Sequence, residues 1–227
     1  MQTPAERCLI QNVIASLPFS KRNKMLSTLL NVGAGRSTIL ETAIATAVPR
    51  FTCDRIDVEQ HRIKHPNVRN MYHASVESMP AVPSKTYDVV FSNYVFEHVP
   101  DVEAAIQEIA RVLKQDGTCI LTIPNPNAPE FFISKWTPHH FHQWVKGSGE
   151  GQEAFPTFYA YRSIRNLTRL FEAHGFILKS DQRFAFVYGY LYRFPILNVI
   201  GKAYDGLLSL LRLKPLMGHV CLTYQKT

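Results

Sequence analysis

The apolar positions of this chain fall into two rhythms. Short blocks such as Leu29-Leu30 with Val32, and Val89-Val90-Phe91, stand between polar turns, while longer stretches repeat at helical spacing. Brief continuous blocks predict strands buried on both faces, the kind a parallel sheet contains. Further strands are expected over 51–57 (FTCDRID), at the start of 70–80 (NMYHASVESMP), over 118–125 (TCILTIPN), from Phe176 onward, and over 218–226 (GHVCLTYQK). The helical rhythm predicts one helix over 4–16, with Leu9, Val13 and Ile14 on one side, and a second over about 37–47, closed by Pro49. Asp101 is placed to cap a third, with a stripe of Val102, Ala105, Ile106, Ile109 and Val112–Leu113, ended by Gly117. A fourth lies within 161–176, carries Ile164, Leu167, Leu170 and Phe171 on one face, and ends at Gly175. Strands alternating with helices at these intervals predict an α/β domain built on a doubly wound parallel sheet.

One stretch departs from that alternation. Residues 184–217 are very rich in Leu, Ile, Tyr and Phe, yet Arg193, Lys202, Asp205, Arg212 and Pro195 interrupt them. The charges and the proline exclude a membrane span and leave an amphipathic helical hairpin. It is suited to packing on the core, covering a pocket, forming a dimer surface, or lying in a membrane interface through 187–217. The chain therefore divides into an N-terminal helical segment (1–25), a core (26–183), an apolar helical insertion or lid (184–217) and a last strand (218–227), all within a single domain.

Bulk properties narrow the class. At 227 residues, 46% hydrophobic and 19% charged, the chain can bury one sizeable core and is not disordered. Cys8, Cys53, Cys119 and Cys221 are widely scattered without a C-x-x-C pair, which predicts buried free thiols in a reducing cytoplasm. The N-terminal stretch does not read as a signal peptide. A net charge of +7 favours anionic partners in general, but no dense Lys/Arg run marks a nucleic-acid arm.

The chemistry concentrates after the strands. LLNVGAGRS (29–37) ends an apolar block in Gly33 and Gly35, then opens a helix: a tight turn and free backbone N–H groups that admit a ligand against the main chain. Asp57, at the end of the next strand and about 20 residues on, is spaced to accept both hydroxyls of a ribose, with Glu59 as the alternative. Ser92 and Asn93 mark the carboxyl end of the strand carrying Val89–Phe91, with Glu97 and His98 just beyond. A second histidine cluster, His139, His140 and His142, lies in TPHHFHQW (137–144).

Five segments in this order, LLNVGAGRS, RIDVE, ASVESMP, YDVVFSNYVFEHVPD and EIARVLKQDGTCILTIPN, resemble the class I S-adenosylmethionine-dependent methyltransferases, in particular a broad group of small bacterial enzymes. The resemblance covers about residues 26–180. It implies a Rossmann-like, mostly parallel seven-stranded sheet with an antiparallel last strand, and S-adenosyl-L-methionine as cofactor. Gly33, Ala34 and Gly35 would lie against the methionine part of that cofactor, with Asn31 in the acidic position of the glycine motif. Asp57 would bind the ribose, Ser75 and Val76 would flank the adenine, and Asn93 and Tyr94 would sit beside the methionine moiety. Asn31, Ser37 and Ser75 depart from the family's usual acid, third glycine and Asp. Some relatives hold a divalent ion with Glu-x-x-Glu-His; here Tyr94 replaces the first Glu, and no metal site is expected.

Methyl transfer needs a base only when the acceptor must lose a proton. His98, after the cofactor strand, and His140, in the family's Thr/Ser-Pro-x-His position, are the candidates, and they favour an oxygen acceptor. The expected activity is in-line methyl transfer to a small-molecule, glycan or lipid-linked acceptor, in the cytoplasm or at the inner face of the membrane. Two other classes fit less: a non-catalytic cofactor-binding scaffold using its apolar hairpin for a partner, and an RNA methyltransferase, which rests on net charge alone.

Overall fold

A computed structural model describes residues 2–17, 26–129, 131 and 155–227. Its centre is a seven-stranded sheet of order β3-β2-β1-β4-β5-β7-β6, formed by β1 (Ser27–Val32), β2 (Phe51–Asp57), β3 (Val68–His73), β4 (Tyr87–Asn93), β5 (Leu113–Pro124), β6 (Phe176–Phe184) and β7 (His219–Lys226). The first five strands run parallel, while β7 pairs antiparallel with both β5 and β6. The order in which the chain adds strands reverses between β1 and β4, the place where open α/β sheets leave a crevice beyond their carboxyl ends.

Helices cover both faces, as the two-sided burial of the strands requires. On one face α1 (Pro4–Ser16) and α2 (Ile39–Ala47) pack Leu9, Val13 and Ile44 against Leu29, Phe91 and Ile120. On the other, α3 (Val102–Val112) and α4 (Ile164–Ala173) pack Ile106, Ile109 and Phe171 against Leu30, Val90 and Leu121. Asp101 caps α3 through Ala104 N–H at 3.0 Å, as its position in the sequence predicts. The four cysteines are all buried and free.

One expectation is corrected. The third helix does not run to Gly117; it stops at Val112, and β5 begins at once with Leu113 opposite Tyr87. The next pair in register is Val89 with Thr118, so Lys114–Gly117 bulge out of the ladder, with Asp116 left-handed at φ 61°. Lys114 Nζ holds the bulge against Asp88 at 2.7 Å. The KQDG sequence is therefore a strand irregularity that resembles a helix end.

The insertion after β6 is helical: α5 (Val187–Tyr190) leads through a turn to α6 (Pro195–Leu210), and the two pack together. Neither helix belongs to the two core clusters. Among the described residues no helix is long and apolar enough to cross a membrane.

Candidate active site

The glycine loop is held by backbone and side chain together. Gly33 and Ala34 N–H both donate to Ile56 O, at 2.9 and 3.2 Å, which fixes the loop to the end of β2. Gly33 (φ 65°) and Gly35 (φ 59°) are left-handed, a conformation glycine adopts without strain. They differ in what surrounds them. A Cβ on Gly33 would stand 2.2 Å from Val95 Cγ2, whereas a Cβ on Gly35 would meet nothing within 4 Å. Gly33 is thus a packing requirement, and Gly35 opens the space where a ligand can reach the main chain.

Asp57 braces that loop. Its Oδ2 accepts from Gly35 N–H at 2.7 Å and its Oδ1 from Glu59 N–H at 2.9 Å. A carboxylate has about four acceptor directions, so two remain for a ligand. Glu59, the alternative acid, faces Arg36 and His61 at the surface. Ala74 N–H donates to Asp57 O at 3.0 Å, which sets Ser75 and Val76 beside the same edge. Ser75 Oγ donates to Glu77 Oε2 at 2.9 Å, and Val76 is buried in the core.

Beneath the loop lies an ionic layer that no sequence motif announces. Asn31 is buried and donates to Glu41 Oε1 at 2.8 Å. Arg55, also buried, stands 3.3 Å from that carboxylate oxygen and donates its Nη2 to the carbonyls of Ala34, Gly35 and Ser37. The charge missing from Asn31 is therefore supplied by Glu41 from α2, and the guanidinium it balances ties down the carbonyl side of the loop.

The other half of the carboxyl edge is assembled from distant segments. Asn93 accepts from Thr122 Oγ1 at 2.6 Å and donates to Glu6 Oε1 at 2.9 Å. Glu6 and Thr3 form a reciprocal capping box at the start of α1, with Glu6 N–H donating to Thr3 Oγ1 at 3.1 Å. Tyr94 is left-handed at φ 54°, a strained state for a bulky residue that costs about 1–3 kcal/mol. It is held by its N–H to Thr122 O at 3.0 Å, and its hydroxyl lies 3.1 Å from Thr3 Oγ1.

The Tyr94 hydroxyl also bonds Nδ1 of His219, whose Nε2 faces Tyr190 OH at 3.1 Å. His219 is 2% exposed, with the rings of Phe131 and Phe186 edge-on at 5.8 and 5.6 Å between centroids. Burial lowers its pKa to about 4. Burial likewise raises that of Tyr94, so at neutral pH both groups are uncharged. A neutral imidazole has one N–H and one bare nitrogen, so one tyrosine donates to it while the other accepts.

Of the two histidines singled out in the sequence, His98 sits on a 3₁₀ turn, Phe96–His98, after β4 and donates Nδ1–H to Pro156 O at 2.9 Å. That bond leaves Nε2 bare in the neutral ring, 3.9 Å from Glu97 Oε1. His140, with His139 and His142, lies outside the described residues. Among the described residues no group of three or more His, Cys, Asp or Glu side chains is arranged to hold a metal ion. Sequence reasoning missed Glu41, Arg55, Thr3, Glu6, Tyr190 and His219. The T-x-x-E capping box at 3–6 was a readable signal for two of them; His219 had none, since its partners are distant in sequence.

A family described as "Methyltransferase domain" matches residues 6–180 of this chain. A "Ubiquinone biosynthesis O-methyltransferase" of Pelagibacter ubique is 23% identical over 154 residues, which are 62% of this chain and 64% of the relative. An "Uncharacterized methyltransferase YcgJ" of Bacillus subtilis is 30% identical over 102 residues, 41% of this chain and 39% of that protein. The chain thus spans less than two thirds of the length of these curated relatives. A crystal structure of an S-adenosylmethionine-dependent methyltransferase from Mesorhizobium loti superposes with a TM-score of 0.59 at 13% identity, covering 98% of each chain. That likeness shows the shared fold.

Proposed function

We propose that this chain, which belongs to the methyltransferase domain family of class I S-adenosylmethionine-dependent enzymes, methylates a hydroxyl of a small organic or lipid-linked acceptor. The observation that carries the oxygen assignment is the Tyr94–His219–Tyr190 chain at the carboxyl edge of the sheet, its imidazole buried between two partly buried tyrosines. The name of the Pelagibacter relative, an O-methyltransferase, points the same way.

The residues present fit the family's cofactor. Gly35 leaves open space against the main chain, and Asp57 keeps acceptor capacity for a ribose. In this reading Gly33, Ala34 and Gly35 line the methionine side, Asp57 holds the ribose, Ser75 and Val76 border the adenine, and Asn93 and Tyr94 close over the sulfur end. Asn31 acts through Glu41 and Arg55, by keeping the loop in shape. When bound, S-adenosylmethionine supplies a methyl group already made electrophilic by its sulfonium, so the protein's task is alignment and proton removal.

Alignment alone can contribute on the order of 7–11 kcal/mol when reacting atoms are held in near-attack positions. The rigid Asn93–Thr122–Glu6 lattice and the fixed backbone of Tyr94 provide that holding. For proton removal, the acceptor hydroxyl gives its proton to the Tyr94 oxygen as Tyr94 passes its own to the bare nitrogen of His219. His219 then releases its Nε2 proton to the Tyr190 oxygen as Tyr190, only partly buried, gives its own hydroxyl proton to solvent, so that both tyrosines and the imidazole end neutral. His98, on the turn after β4, is a second proton acceptor in this reading, and His140, in the segment following β5, a third.

The aromatic walls around His219 favour an acceptor with a flat or branched apolar body. The test is transfer of a labelled methyl group from S-adenosylmethionine to paired acceptors: a phenol or isoprenoid alcohol, its O-blocked form, and the matching amine. Label on the free hydroxyl alone is expected. Label on the amine or on the O-blocked form would contradict the oxygen assignment.

A further inference from the structure

The helix α6 is built inside out. Its inward stripe, Leu208 apart, is small or polar: Asn198 Nδ2 donates to Tyr188 O at 2.7 Å, Gly201 lies against the Tyr188 backbone, and Asp205 accepts from Val187 and Tyr188 N–H at 3.1 and 3.0 Å. The opposite face carries Ile196, Val199, Ile200, Leu207, Leu210 and Leu211, spaced as one helical stripe. Those side chains are exposed rather than buried: 79% for Ile196 and Leu210, 66% for Val199, 59% for Ile200. An amphipathic helix packed for the benefit of its own core would point the other way.

Charge decides what covers this face. Within 187–217 the cations are Arg193, Lys202, Arg212 and Lys214, all exposed, while the single acid, Asp205, is the buried one. A second copy of the chain docked face to face would set like charges against each other. An anionic lipid surface would receive both features at once, apolar side chains below and cations at the headgroups. At 16 residues the helix is about 24 Å long, too short to span a bilayer and suited to lying along one.

We infer that α6 is an interfacial helix that docks this protein on an anionic membrane. The inner side of the same insertion supplies Tyr190 to the His219 cluster, so docking brings the acceptor side of the sheet to the lipid surface. The inference does not rest on the oxygen assignment, and its test involves no turnover.

The experiment is flotation of the full chain with phosphatidylcholine vesicles that contain or lack phosphatidylglycerol, beside light scattering without lipid. The wild type is expected to float with the phosphatidylglycerol vesicles and to be released by salt. The exposed-face substitutions Ile200→Glu with Leu207→Glu should weaken flotation about tenfold or more, since each replaces buried apolar area with a charge. Lys202→Glu with Arg212→Glu should weaken it while sparing any residual affinity for neutral vesicles. Absence of wild-type flotation, flotation unchanged in both pairs, or a lipid-free dimer dissolved by Ile200→Glu with Leu207→Glu in place of flotation would each overturn the proposal.

Discussion

The two halves of the sheet's carboxyl edge are made in different ways. The half proposed for the cofactor, over β1, β2 and β3, is assembled from residues close to a strand end: Gly33, Gly35, Asp57 and Ser75. The half proposed for the acceptor, over β4, β5 and β7, takes Thr3 and Glu6 from the cap and first turn of α1, Tyr94 from just after β4, Tyr190 from the insertion and His219 from the last strand. A local site depends on backbone conformation and on the few side chains, here Asp57, Arg55 and Glu41, that brace it. A site gathered from across the chain depends on the packing of the whole domain, and it can be remodelled through any one contributor.

The contrast is broken most directly at the acceptor half. Tyr94→Phe and His219→Gln should each lower kcat by roughly 10²–10⁴, the range for losing a proton-transfer group, with the affinity for S-adenosylmethionine unchanged. A parallel loss of cofactor affinity would mean that the halves are not separable. In the cofactor half, Glu41→Ala leaves Arg55 buried without its acid and should cost about 3–5 kcal/mol of stability. That corresponds to a melting point lower by roughly 6–20 °C for a chain of this length. The double change Glu41→Leu with Arg55→Met should recover much of it, which a mere volume defect would not do.

A pH titration of stability sharpens the same distinction. His219 has a folded pKa near 4 against an ordinary value of 6.5, so below pH 6.5 the unfolded chain binds a proton that the folded one refuses. Stability should therefore fall as pH drops from 6.5 toward 4, by about 3 kcal/mol in all, and His219→Gln should flatten that slope. Below this window a second loss is expected. Asp54 is buried, its pKa held down by Arg69, Tyr87 and Asn70 against the upward push of burial, and its stabilisation is lost once pH falls through its lowered pKa. The smallest effect belongs to the N-terminal cap. Thr3→Ala removes the capping oxygen and should cost about 1 kcal/mol in thermal unfolding.

What could be read from the sequence follows the same division. The strands ending in Val32 and Asn93 are legible because burial on both faces leaves continuous apolar blocks, whereas β2 is legible only in part, since it buries Asp54 and Arg55; Gly33 and Gly35 stand out because one local turn sets their spacing, and Asp57 because it ends the neighbouring strand. The end of α3 is hidden in the sequence because KQDG carries the composition of a helix terminus, while pairing of Leu113 with Tyr87 already begins the strand. Asn31 looked like a lost charge, and only the fold shows Glu41 restoring it from ten residues away. His219 was unreadable: in GHVCLTYQK it is one polar residue at the edge of a strand, and its meaning comes from Tyr94, 125 residues earlier. The insertion was recognised as amphipathic, but the direction of its apolar face is a property of packing, set by Asn198, Gly201 and Asp205.

The central claim is that the glycine loop and Asp57 form a site for S-adenosylmethionine. Calorimetric titration of S-adenosylmethionine and of S-adenosylhomocysteine into wild type and Asp57→Ala tests it without any knowledge of the acceptor. The account predicts saturable binding of both ligands to the wild type, weakened about tenfold to a hundredfold in the variant, the cost of losing hydrogen bonds to a charged group. No binding to the wild type, or equal affinity in Asp57→Ala, would contradict it.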